Sequence, residues 1–367
     1  MLTQAENELM CRIGPGTGMG ATIRRYWLPA LASSELPDPG GDPVHVELLG
    51  EHFVAFRDTQ GKVGLLDENC CHRGASLLLG RVEGCGIRCI YHGWKFAVDG
   101  KVLETPNVAD DKFKDRIRAR AYPVREVAGL IWTYLGPPDL QPVFPEWPWH
   151  GLSSSHALVT VHKVGCNFVQ VLEGLVDSRI TAFVMPCIVL NPNSDVATLV
   201  VPENDESCRF FHIWWDAARP IGAEPLRTET LRFVGLDDDS MRAFGIAPDS
   251  KSEDSPTRQN RFHQDRSSIR DGRSFSGIAG LIEEDVAASV SGGAIRDRTK
   301  EMLSIADLAV GRLFRVYLES ARRAARGEAP IGLAPGANLS RVRGVSGEIS
   351  IGGDWRALVP EHRQPAA

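Results

Sequence analysis

The sequence predicts an α+β fold in two parts, a small all-β domain followed by a larger domain of mixed helix and strand. Three observations carry this reading. Short β-rich runs separated by turn residues fill the first third of the chain. A Pro- and Trp-rich stretch, "GPPDLQPVFPEWPWHG", then interrupts the pattern as a domain boundary. After it, strand-like runs share the chain with one long segment of helical apolar spacing.

The elements follow in order. Residues 1–24 are assigned to an N-terminal helical segment, 25–140 to the β domain, 141–330 to the mixed domain and 331–367 to an irregular tail. "VHVELLGEHFVAFRD" (Val44–Asp58) is apolar and β-rich, broken at Gly50, and the turn "DTQGK" leads into "VGLLD". "WKFAVDGKVLE" (Trp94–Glu104) carries the Asp99-Gly100 pair of a tight hairpin. "REVAGLIWTYLG" (Arg125–Gly136) reads as one strand, closed by Pro137 and Pro138. Past the boundary, "HALVTVHKV" and "RFFHIWWDA" read as strands. Thr299–Gly327 reads as a single long helix, with arginines near its end and Gly327 as its stop. From Glu328 the chain is Pro/Gly-rich, and no internal repeat is visible.

Bulk properties narrow the function classes. With 367 residues, 43% hydrophobic and 24% charged, the composition is that of an ordinary soluble globular protein. A net charge of -6 offers no electrostatic footprint for nucleic acid. No run approaches the roughly 18 apolar residues of a membrane span. "MLTQAENELMCRIGPG" lacks the basic region and apolar core of a secretion signal. The expected setting is therefore cytoplasmic and reducing, where clustered Cys and His point to metal rather than to disulfides.

Two short motifs form such a cluster. "NCCHRGA" pairs Cys70 with His72, and "RCIYHGWKF" pairs Cys89 with His92. Two thiolates and two imidazoles suit a [2Fe–2S] cluster in which one iron takes both cysteines and the other both histidines. Exchanging thiolates for neutral imidazoles makes the cluster less negative and lifts its potential to roughly -150 to +300 mV. The same four donors also suit tetrahedral zinc. Cys71, between two ligand positions, reads as a packing residue or a redox thiol. Cys11, Cys85, Cys166, Cys187 and Cys208 read as scattered small residues.

With "CCHRGA", "CIYHGWKF" and "CNFVQVLEGLVDS" together, the chain resembles the oxygenase component of Rieske non-haem iron oxygenases, in the phthalate dioxygenase-like branch. Arg73-Gly74-Ala75 after His72 and Gly93-Trp94 after His92 mark Rieske loops rather than a zinc site. Cys71 stands where that loop usually carries proline. The resemblance runs from Glu6 ("ENELMCRIGPGTGMG") to Arg326, and includes the late motifs "RQNRFHQDR" and "EEDVAAS…IRDRTKEMLSIADLAV". It implies a Rieske domain joined to a helix-grip (START-like) catalytic-type domain, in head-to-tail trimers. It also implies a ferrous ion held by two histidines and a carboxylate, with positions left open for O2 and substrate. An aspartate in a D-x2-H-x4-H motif bridges that iron to the neighbouring subunit's cluster.

Laid on this chain, the pattern puts Asp177 on the bridging aspartate and Asp285 on the carboxylate ligand. The two histidine positions hold Ile180 and Met185. Isoleucine cannot ligate, and a thioether is a soft donor ill suited to ferrous iron. His162, His212 and His263 lie in the same domain, but no spacing marks them as substitutes. Arg179 either compensates a metal-free Asp285 or is a solvated surface residue.

The resemblance therefore implies a [2Fe–2S] cluster on Cys70, His72, Cys89 and His92, while the departure at Ile180 and Met185 leads us to expect no mononuclear Fe2+ in this chain. The expected role is an electron-donating or structural subunit of a trimer-based hetero-oligomeric Rieske oxygenase. That assembly would oxidise an aromatic or other small organic substrate. Expected partners are a catalytically complete Rieske oxygenase subunit and an NAD(P)H-dependent reductase or ferredoxin, with neither nucleic acid nor membrane. Two other readings stand beside it. One is an active mono- or dioxygenase with an unusual metal ligand set, and the other is a redox-sensing ligand-binding module.

Overall fold

The structure, a computed structural model, describes residues 2–177, 181–191 and 195–333 and four single positions beyond them, with only the backbone of Asp177 and Ser252. Two short helices lead in, α1 (Gln4–Cys11) and α2 (Gly18–Ile23). Thr3 starts α1 through a capping box. Its hydroxyl accepts the Glu6 N–H, and the Glu6 carboxylate accepts the Thr3 N–H.

The β domain holds three antiparallel sheets. β1 (Trp27–Ala32) comes first. β2 (Val44–Leu48), β3 (Glu51–Arg57) and β4 (Val63–Asp67) form one meander. β5 (Arg81–Glu83), β6 (Gly86–Arg88), β7 (Lys95–Ala97) and β8 (Val102–Glu104) form a second. β9 (Val124–Val127) and β10 (Leu130–Tyr134) complete the third, in the order β1–β10–β9. The break foreseen at Gly50 is a two-residue hairpin turn, with φ of 53° at Leu49 and 71° at Gly50.

The segment Arg125–Gly136 is not the single strand expected. Ala128 and Gly129 both take positive φ, 53° and 78°, and fold it into the β9–β10 hairpin. A non-glycine in that region is uncommon, so Ala128 gave no turn signal.

β3 is buried on both faces. Phe53 and Ala55 join the large core that also holds the second domain's apolar residues. Val54 and Phe56 join a smaller core with Leu66, Ile87, Trp94, Phe96, Cys70 and Cys89. Successive strand residues point to opposite faces. "FVAF" is therefore continuously apolar because protein covers both sides.

The second domain is built on one five-stranded antiparallel sheet. β11 (Ala157–Val164) precedes α3 (Phe168–Asp177), and β12 (Ala182–Val184), β13 (Ile188–Leu190), β14 (Val196–Pro202) and β15 (Cys208–Trp215) follow in the spatial order β11–β15–β14–β13–β12. Between the domains, Trp147 and Trp149 are buried and stacked at 5.3 Å, and Trp149 leans on Trp215 of β15. α4 (Leu226–Val234), α5 (Asp238–Phe244) and α6 (Arg266–Arg270) lead to α7 (Leu281–Ser291) and α8 (Leu308–Ala325). α8 packs against α1, α2 and α3, while α3 also packs on α7, β13 and β14.

The long helix predicted over Thr299–Gly327 is shorter than expected. Residues 299–307 hold only the end of one 3-10 turn and the whole of a second, and α8 begins at Leu308. Ser304 and Asp307 close a capping box there, the Ser304 N–H donating to Asp307 Oδ2 at 2.5 Å. Such local side-chain bonding competes with helix interior and sets a fresh start. Gly327, with φ of 76°, ends α8 as foreseen.

A buried ion pair holds these pieces in register. Arg298 is fully buried, and its Nε donates to Glu173 Oε1 of α3 at 2.5 Å. Its Nη1 reaches Asn7 Oδ1 of α1 at 3.1 Å. Arg296 Nη1 donates to the other Glu173 oxygen at 2.9 Å. Burial raises the Glu173 carboxyl, against the lowering pull of both guanidinia. Removing one member of a buried pair costs about 3–5 kcal/mol because the other charge is left unpaired. Glu173→Leu strands Arg298 and should lose stability of that order in chemical denaturation. Arg298→Met should lose less, since Arg296 still pairs with Glu173. Equal losses would show that Arg296 contributes nothing.

Candidate functional site

Two regions concentrate chemistry, one in each domain. In the β domain, the loops after β4 and β6 carry the Cys and His residues, and they share one backbone plan. The Cys70 N–H donates to the Ala75 carbonyl at 2.8 Å, and the Gly74 N–H returns to the Cys70 carbonyl at 2.9 Å. The Cys89 N–H donates to the Trp94 carbonyl at 2.9 Å, and the Gly93 N–H returns to the Cys89 carbonyl at 3.1 Å. Each loop thus turns through a glycine four residues after its cysteine. Gly74 and Gly93 have φ of 73° and 74°, which disfavours any residue with a Cβ.

These turns bring the four donors together. Cys70 and Cys89 are buried in the same small core. Burial, with the nearby Cys89 adding to it, pushes the Cys70 thiol up to about 12. A metal must therefore displace protons to bind there. The imidazoles of His72 and His92 are half-buried, with ring centroids 4.6 Å apart. Desolvation, followed by the charges of His92 and Arg73, lowers the His72 pKa and favours the neutral, ligating form. His72 stacks on Trp94 at 4.2 Å, and Trp94 Nε1 donates to Asn107 Oδ1 at 2.7 Å. Exposed Ile90 and Tyr91 precede His92, so the imidazole edge faces outward while the sulfurs face the core.

The second region is a cavity of about 360 Å3 between the sheet and the helices α3, α7 and α8. Its wall includes His162, Phe210, Gln170, Glu173, Asp285 and Arg296. Asp285 is reached by solvent, yet protein surrounds it closely enough to raise its carboxyl above the ordinary range, with Glu284 adding to the shift. Gln170 fixes the far end of α7. Its Nε2 donates to the Ser289 and Gly293 carbonyls at 3.0 Å each, and its Oε1 accepts the Arg296 N–H at 2.7 Å. His162 of β11 and His212 of β15 are buried and stack at 5.4 Å. Both His162 ring nitrogens and His212 Nδ1 lack a hydrogen-bond partner.

Residues 26–123 match the Rieske [2Fe-2S] domain family, and residues 178–365 match the LigXa C-terminal domain-like family. The phthalate 4,5-dioxygenase oxygenase subunit of Pseudomonas putida is 33% identical, over 97% of this chain and 94% of that protein. The chain belongs to the Rieske oxygenase alpha subunits. The 3-chlorobenzoate-3,4-dioxygenase oxygenase subunit of Comamonas testosteroni is 32% identical, over 91% of this chain and 92% of that protein. A crystal structure of dicamba monooxygenase shares the fold, with a TM-score of 0.56 at 18% identity, covering 83% of this chain and 99% of that one.

In this Rieske oxygenase subunit Cys70 and Cys89 share the small core, and the His72 and His92 rings lie beside each other at its margin. Cys71 is exposed beside them. Asp177 ends α3, and its side chain lies outside the described residues, as do Arg179 and Ile180. Met185 is buried in the core, in the turn between β12 and β13. Among the described residues, Asp285 is the expected iron position that lies on the cavity wall. Of the other imidazoles, His162 lines the cavity and His212 stacks behind it, but His263 sits elsewhere and bonds the Asp254 carbonyl at 2.9 Å. Among the described residues, no three His, Cys, Asp or Glu side chains of this domain converge on a single-ion site. Sequence reading missed Gln170, Glu173 and Arg296 as wall residues. The polar positions in the apolar run "CNFVQVLEGL" were the available signal.

Burial lowers the His162 pKa to about 3 and holds His212 well below its ordinary value. An unfolded histidine titrates near 6.5. The unfolded chain therefore binds more protons below that pH, and stability is lost as pH falls through and below about 6.5. Between pH 7 and 5 each such histidine should cost on the order of 2 kcal/mol. A His162→Phe/His212→Phe variant should show a smaller fall in Tm over that interval than the parent. An identical fall would assign the acid sensitivity to other groups.

Proposed function

We propose that this subunit holds a Rieske [2Fe–2S] cluster on Cys70, Cys89, His72 and His92, and donates electrons to a separate, catalytically complete oxygenase subunit. The donor set fits the cluster: paired buried thiols on one side, and paired imidazoles braced by Trp94 on the other. Such a cluster carries single electrons at roughly -150 to +300 mV. The outward imidazole edge, flanked by Ile90 and Tyr91, gives a partner's acceptor a place to dock.

The observation that carries the donor reading is the chemistry at the two histidine positions. Ile180 offers no ligand, and Met185 offers a thioether enclosed in the core. Asp285 without imidazoles is too weak a site for ferrous iron. The partner subunit would then bind O2 and substrate, in a trimer-based hetero-oligomer fed by an NAD(P)H-dependent reductase or ferredoxin. The names of the relatives, acting on phthalate and 3-chlorobenzoate, support an aromatic substrate for that assembly.

A second reading draws on the cavity, whose wall carries the charged side chains of Asp285 and Arg296 among apolar residues. On that reading the subunit binds a ligand and senses redox state without any oxygenase partner.

Iron and acid-labile sulfide per chain decide the main point. Protein purified anaerobically, given ferrous iron and then desalted, should hold two irons and two sulfides. Three irons with two sulfides, the third lost on Asp285→Ala and kept on His45→Ala/His52→Ala, would refute the loss of the mononuclear site. Dependence of turnover on a second oxygenase subunit separates electron donor from sensor.

A further inference from the structure

A second cluster of metal-ligand side chains lies outside both regions, on the β2–β3 hairpin. His45 of β2 and His52 of β3 are diagonal neighbours across the strand pair, where His45 faces Val54 and Glu47 faces His52. His45 Nε2 and His52 Nδ1 are 3.0 Å apart, and the rings stack at 5.2 Å. Glu68 follows β4, and its N–H donates to the His52 carbonyl at 3.2 Å. One Glu68 oxygen accepts the Ser76 hydroxyl at 2.5 Å, which turns the other toward His45 Nε2 at 3.6 Å. One ligand atom from each residue lies within 4.8 Å of the other two.

These separations suit a shared ion. A tetrahedral ion with bonds of about 2.0–2.1 Å sets its ligand atoms roughly 3.3 Å apart. The observed 3.0 and 3.6 Å straddle that edge length. Both imidazoles are exposed, so an ion would keep much of its contact with water at the remaining positions. Ser76 supplies the outer hydrogen bond that commonly orients a ligating carboxylate. We propose that His45, His52 and Glu68 bind a borderline divalent transition ion of the Zn2+ or Cu2+ class, with a position left open. The site does not depend on the electron-donor role, since it uses none of the cluster ligands.

Zn2+ titrated calorimetrically into tag-free holoprotein should bind at one equivalent. His45→Ala and His52→Ala should each weaken that binding at least tenfold, with the visible spectrum of the cluster unchanged. Cu2+ bound at one equivalent should show nitrogen hyperfine splitting from two imidazoles in its electron paramagnetic resonance spectrum. The proposal is overturned if the parent binds no Zn2+, or if the His45→Ala/His52→Ala variant binds it as the parent does. A Cu2+ spectrum without two nitrogens would overturn it as well.

Discussion

The arrangement of the second domain depends on the meeting of Glu173 with Arg298 in the buried interior. A carboxylate and a guanidinium buried together are tolerable only when their hydrogen bonds are made. Here Arg296 and Asn7 complete the set. That requirement draws α1, α3 and the segment before α8 to one point, though these residues are scattered over nearly the whole sequence. With α3 fixed there, Gln170 secures the end of α7, and the cavity wall between the two helices follows.

The β domain solves a different problem, presenting two kinds of donor in two kinds of medium. Its paired loops use the same cysteine-to-glycine turn, and they differ in where the histidine stands within it. The sulfurs sit in the small core, and the imidazoles sit at its margin. A low-dielectric wall on one side and an open edge on the other give any electron held there a preferred face of departure.

Legibility in the sequence followed the range of the interactions. The cluster loops were readable because ligand chemistry and turn glycines lie within a few residues of one another. The β domain's hairpins at Gly50 and Asp99-Gly100 were readable for the same reason. Ala128 was not, because a residue with no turn preference adopts a turn conformation there under tertiary control. The start of α8 was misplaced because apolar periodicity over 299–307 concealed the stronger local bonding of Ser304 and Asp307. The cavity wall was least visible. Arg296 and Glu173 are far apart in the chain, and nothing local to either names the other. His45, His52 and Glu68 escaped attention likewise, since three strands must pair before they meet.

β3 has a mechanical consequence. A strand whose two faces serve two different cores cannot act as a hinge, because bending it would open both. The redox half of this molecule is thus a fixed fitting rather than a swinging arm. On the electron-donor role proposed above, a recipient would meet a stationary surface at His72 and His92, and the closeness of its seating there would set the speed of transfer.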